Sequence, residues 1–152
     1  DSAGRAVLFD FHLIEKRLYK SVDNLVRTVA FLFLCALEDE MTQIRGLVTV
    51  AYYIGKMKGE FSKEANNELK RVQKWMPIKL PALHICFDDP VLRAWTPVAK
   101  VLMGSHLRQR LRIHDGSHTE CMYDLMTFGV PVNSLPVNYK GDLKLVNHQK
   151  WL

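Results

Sequence analysis

Four short runs rich in β-branched and aromatic residues, separated by stretches whose apolar positions recur at helical spacing, leave few folds open to this chain. Ala6–Leu13 (AVLFDFHL), Leu47–Tyr53 (LVTVAYY), Pro81–Phe87 (PALHICF) and Leu111–His114 (LRIH) read as strands. The second is so continuously apolar that both its faces should be covered. Ser21–Leu37 reads as a helix capped by Ser21, with Asp23 at the positive end of its dipole and Leu25, Val29, Phe33 and Ala36 on one face. Ser62–Met76 carries Ala65, Leu69, Val72 and Met76 at the same spacing and ends at Pro77. Asp88-Asp89-Pro90 leads into a helix over Val91–Met103, Gly104 stops it, and a short helical turn carries Arg108 to the fourth strand. Ser117-His118-Thr119-Glu120 has the capping-box form and opens a last helix to about Phe128. Strands alternating with helices predict right-handed βαβ crossovers and a mostly parallel sheet, an α/β fold. The proline-punctuated tail from Gly129 is expected to wrap the surface without adding a layer.

The 152 residues fit a single domain. With 48% apolar and 24% charged residues, a core is expected that needs neither disulfides nor a structural metal. Cys35, Cys86 and Cys121 are odd in number, far apart and set in apolar stretches, so they read as small buried hydrophobes of a reducing compartment. The longest apolar run, Val29–Leu37, is far shorter than the roughly 20 residues of a bilayer span and reads as a buried helix. No secretory leader is seen and the first residue is Asp1, so the chain reads as a fragment or processed form. A cytoplasmic or organelle-soluble location is expected, with peripheral membrane association.

Charge is unevenly placed. Residues 1–89 carry 13 basic and 12 acidic side chains, and residues 115–152 carry 3 and 4. The net charge of +5 therefore arises in residues 90–114, where Arg93, Lys100, Arg108, Arg110 and Arg112 stand without an acidic residue. Such a field suits an anionic partner. No RNP-like segment, zinc-finger spacing or low-complexity arm is present, so nucleic acid is not expected.

Catalytic signals are missing. There is no G-x-S-x-G elbow, Walker loop or G-x-G-x-x-G turn, so no enzyme is expected. His84, mid-strand in an apolar run, reads as a satisfied core residue. His114, His118, Glu120 and Cys121 lie close together, but not at a tetrahedral zinc spacing, and the capping box accounts for His118 and Glu120. No metal is expected.

The order of these elements, with Gly4-Arg5-Ala6-Val7, Ala36-Leu37-Glu38-Asp39-Glu40, Gly46–Ala51, Leu83-His84-Ile85 and Leu135-Pro136-Val137-Asn138-Tyr139-Lys140-Gly141, resembles the CRAL-TRIO, or Sec14-like, lipid-binding domain. The resemblance covers nearly the whole chain, up to about Leu143. It implies a sheet floor and helical walls around an apolar pocket for one lipid-like molecule, closed by a gate helix that here is Val91–Met103. Val91, Trp95, Val98 and Leu102 form an apolar stripe along that helix. The helical module that usually precedes the domain is absent from the sequence. Ile78 stands where phosphatidylinositol-binding members have an acidic residue, Tyr52 where an aspartate ends the second strand, and Phe87 where an asparagine follows the third. These replacements point away from inositol phospholipid exchange and leave open a carotenoid, tocopherol, retinoid or sterol-like ligand.

The expected ligand site is Val72, Met76, Leu83, Ile85, Phe87, Trp95, Val98 and Leu102, lining one cavity between sheet and gate. Lys79, Lys100, Arg108 and Arg110 are the expected contacts for anionic lipid headgroups. Burying a 16-carbon chain gains roughly 13 kcal/mol. Five cations at about 1 kcal/mol each suit transient docking. The competing expectation is a scaffold or assembly subunit bound to a protein partner, its interior filled by Phe87, Tyr52 and Trp95.

Overall fold

The computed structural model describes residues 1–11, 21–55, 63–102, 105–138 and 144. Its elements are β1 (Val7–Phe11), α1 (Val22–Ala36), α2 (Glu40–Arg45), β2 (Val48–Tyr53), α3 (Lys63–Trp75), β3 (Ala82–Phe87), α4 (Pro90–Leu102), α5 (Ser105–Arg110), β4 (Leu111–Asp115), α6 (His118–Thr127) and a 3₁₀ turn, Val132–Ser134. All strand pairs are parallel, in the spatial order β1-β2-β3-β4. The fold is thus α/β, a four-stranded parallel sheet with flanking helices. The expected end of the first strand, the Gly55–Gly59 loop beyond Gly55, Met103-Gly104, and Tyr139 to Gly141 lie outside the described residues.

Local chemistry explains most boundaries. Ser21 Oγ accepts from the Asn24 N–H at 3.2 Å and starts α1. The acidic run after α1, read only as an exit, contains the cap of a helix the sequence reading missed. Asp39 accepts from the N–H and hydroxyl of Thr42 at 2.8 and 2.7 Å, which holds its carboxyl below the usual range. Thr42, fully buried, in turn accepts from the Ala6 N–H at 3.2 Å and ties α2 to the start of β1. The expected capping box on Ser117 and Glu120 is present. At its other end α6 closes in a Schellman turn: Val130 N–H reaches Leu125 O at 3.0 Å and Gly129 N–H reaches Met126 O at 2.9 Å, with Gly129 at φ +80°.

Strand alternation and register divide the sheet into two faces. One presents Val50, Tyr52, His84, Cys86 and His114 to α6. The other presents Ala51, Leu83, Ile85, Phe87, Leu111 and Ile113, and is the face to which the usual right-handed crossovers would bring α1, α3 and α4.

Three expectations are corrected. The tail forms part of the main core: Val130, Leu135 and Val137 are buried with Cys121, Met122 and Leu125 against Val50, Tyr52 and Cys86. A single helix cannot cover this sheet face, and an extended, proline-stiffened segment fills the remainder. The apolar stretch of α1 is not a buried helix, because only Phe33 is buried while Phe31, Leu32 and Leu34 are exposed. For the same reason Cys35 is exposed, whereas Cys86 and Cys121 are buried as expected. Among the described residues no helix is long and apolar enough to cross a membrane.

Candidate functional site

In a parallel sheet joined by crossover helices, every strand starts at one edge and every crossover helix returns the chain to it. That edge therefore collects the ends of helices and the residues just before each strand. Lys79 precedes β3, Lys100 lies in the last turn of α4, and Arg108 and Arg110 lie in the last turn of α5, which runs directly into β4. All four are exposed, and none has an ion-pair partner among the described residues. The topology thus brings the four expected headgroup contacts to one edge of the sheet.

The same edge exposes apolar side chains. Val98 and Val101 lie in the second half of α4, Trp75 ends α3 with 81% of its surface exposed, and Ile44 is exposed beside Arg45 at the end of α2. Sequence reasoning missed Arg45, Trp75 and Val101. Their signal was position relative to the strand starts, readable only once strand order is known. Glu38 and Glu40 lie at this edge too, toward β2, so the unbalanced charge belongs to the β3–β4 side.

The opposite edge is acidic and structurally occupied. Asp88 accepts from the Gly55 N–H at 3.2 Å, and Asp89 from the Val91 N–H at 2.8 Å. Asp115 pairs with Arg93, whose Nη2 lies 2.9 Å away. Arg93 is thereby removed from the basic field. Arg112 is turned toward the Gln109 and Leu111 carbonyls at 2.7 and 3.1 Å, with its guanidinium 5.9 Å from the Phe128 ring centre. The strand order does not reverse among the described strands, so the crevice that holds cofactors in doubly wound sheets does not form there.

The expected ligand residues do not meet in one place. Val72 and Met76 line a groove of about 380 Å³ with Ala30, Trp75 and the Glu68–Arg71 pair, between α1 and α3. Leu83, Ile85 and Phe87 share the helix-bearing face of the sheet, the first two half-buried and Phe87 buried, but they are not in that groove. Val91 and Val98 of the expected gate stripe are exposed. The side chains of Trp95 and Leu102 are outside the described set.

The histidine, glutamate and cysteine near the last helix are each engaged separately. His118 bridges the Tyr52 hydroxyl and the Asn138 carbonyl, the latter at 2.8 Å. Glu120 holds the Ser117 N–H and hydroxyl, and the Cys121 thiol donates to His114 O at 3.4 Å. The hydrogen bond with Cys121, then burial, pushes the Cys86 thiol up, leaving it unreactive. Among the described residues no three His, Cys, Asp or Glu side chains are placed to hold a metal ion. His84 is satisfied, as expected, but by a partner that sequence spacing hides: its Nδ1 lies 2.8 Å from His114 Nε2, with the ring planes 7° apart.

No protein-family model matches the chain, and no curated protein matches it.

Proposed function

We propose that this chain is a peripheral membrane lipid-binding domain of CRAL-TRIO type, which carries a small hydrophobic, lipid-like ligand and docks reversibly on anionic membranes through the strand-start edge of its sheet. The observation that carries this reading is that exposed Lys79, Lys100, Arg108 and Arg110 fall in the last turns of helices or just before strands, as do exposed Val101 and Trp75, with Val98 one turn earlier in α4. Cations near an anionic bilayer contribute about 1 kcal/mol each, so four give about 4 kcal/mol, alone only a millimolar affinity. Inserting part of the apolar side chains strengthens that attachment, which stays reversible. The α1–α3 groove of about 380 Å³, open to solvent and lined by apolar Ala30, Val72 and Met76 beside the Glu68–Arg71 pair, is the site proposed for that ligand.

A scaffold subunit without cargo is the second reading. It is favoured by Tyr52 and Phe87, which are 1% and 3% exposed and fill the interior on either face of the sheet.

Co-sedimentation with anionic vesicles tests the docking. Binding should fall as salt rises and fall again when Lys100, Arg108 and Arg110 become Ala; equal binding of the triple variant and wild type would exclude this edge. Solvent extraction of the purified protein followed by mass spectrometry separates the readings: a stoichiometric apolar molecule supports the carrier, and its absence supports the scaffold.

A further inference from the structure

The membrane reading makes no use of a buried pair of titratable side chains on the other face of the sheet. His84 on β3 and His114 on β4 are each 2% exposed, and Phe128 packs edge-on against both rings at 5.3 and 5.5 Å. His114 Nδ1 lies 3.3 Å from Asp124 Oδ2 on α6. An ionised carboxylate only accepts, so a neutral His114 carries its proton on Nδ1 and offers Nε2 as acceptor to His84 Nδ1–H. One added proton reverses that donation: His114 becomes an imidazolium that donates to Asp124 and to His84 alike. A second sets N–H against N–H between two positive rings, and the contact cannot persist.

We infer that the His84–His114–Asp124 chain is an acid-sensitive latch, which holds α6 on β3 and β4 near neutral pH and frees that helix, with the tail behind it, on acidification. The surroundings set its bias. Arg112 from β4 and Arg5 from the segment before β1 oppose added positive charge, Asp124 favours it, and the Cys86 thiol on β3, raised by its hydrogen bond with Cys121 of α6 and by burial, stays neutral beside the pair. Arg5 is itself paired with Asp1. Burial keeps His84 down at about 4, and burial outweighs Asp124 in lowering His114. An unfolded histidine titrates near 6.5, so the unfolded chain takes up protons first, and stability present above about 6.5 is lost as pH falls toward about 4. For His84 alone, if opening of the latch returns it to water, the constant for closing the latch should drop about 30-fold by pH 5.

Hydrogen exchange of the intact protein at pH 7, 6 and 5, corrected for intrinsic rates, tests the latch. Amides of α6 should lose protection on acidification by a larger factor than those of β2; equal loss in both, or none, overturns it. His84→Asn keeps a donor toward His114 but cannot take the second proton, and should remove the selective loss. Asp124→Asn, at a largely exposed position that tolerates change, should enlarge the loss at pH 5, because it withdraws the charge that favours His114 protonation. His118→Gln, which keeps a donor toward Asn138 O, should leave the loss in place. Persistence of the loss in His84→Asn, no enlargement in Asp124→Asn, or its disappearance in His118→Gln would each refute the assignment.

Discussion

Replacing Gly46 by Ala strikes the point where the chain enters its central strands. Gly46 sits at φ +87° and ψ 179°, a conformation essentially reserved for glycine that costs other residues about 1–3 kcal/mol. An added Cβ would lie 2.5 Å from the Lys79 carbonyl oxygen and 2.8 Å from Pro81 Cδ, neither on a flexible side chain. The same carbonyl accepts the Leu47 N–H at 2.8 Å, so relieving the clash loosens a hydrogen bond worth about 1 kcal/mol net. The total is about 2–4 kcal/mol, a large part of the roughly 5–15 kcal/mol that holds a domain folded. At about 2–4 °C per kcal/mol for a chain of this size, the Tm should fall by about 4–16 °C. Gly55→Ala is the internal control: φ is +88° there too, but an added Cβ meets nothing within 4 Å. Thermal unfolding followed by circular dichroism compares the two. If Gly46→Ala destabilises no more than Gly55→Ala, the close approach of the Gly46 and Lys79 backbones is wrong.

Ser117→Ala removes the hydroxyl that accepts from Glu120 N–H and should cost about 1 kcal/mol, lowering the Tm by about 2–4 °C. Thr49 Oγ1 is buried with no hydrogen-bond partner among the described residues, so Thr49→Val should raise stability by up to about 1–3 kcal/mol in urea titration; a loss of stability would show that the hydroxyl is bonded. Val72→Trp fills the α1–α3 groove and should reduce extracted lipid several-fold with an unchanged circular dichroism spectrum, whereas unchanged lipid content would move the ligand elsewhere.

The strands were legible because each combines β-branched residues with a turn at its end, and the parallel order follows from helices of crossover length between them. The second helix was not legible, because Glu38-Asp39-Glu40 reads as a solvated acidic run until Asp39 is seen to hold Thr42. Prolines 131 and 136 made the tail look like surface, although Val130, Leu135 and Val137 recur at positions that an extended chain can turn toward one face. Of the basic run, sequence supplied the members but not their fates: Asp115 lies 22 positions from Arg93, and only the return of the chain along α4, α5 and β4 joins them. The histidine pair depends on the β3–β4 register, in which residues 30 positions apart become neighbours, so nothing local announces it.

Trp75 offers the most direct view of the docking edge, since it stands exposed at the end of α3, four residues before Lys79. Its emission, isolated by subtracting the spectrum of Trp75→Phe, can be followed as vesicles containing brominated anionic lipid are added. Docking through this edge predicts a blue shift and quenching that appear with anionic but not zwitterionic vesicles and reverse as salt is raised. Trp75 emission that stays unshifted and unquenched while the protein co-sediments with the same vesicles would place the contact on another face and contradict the account.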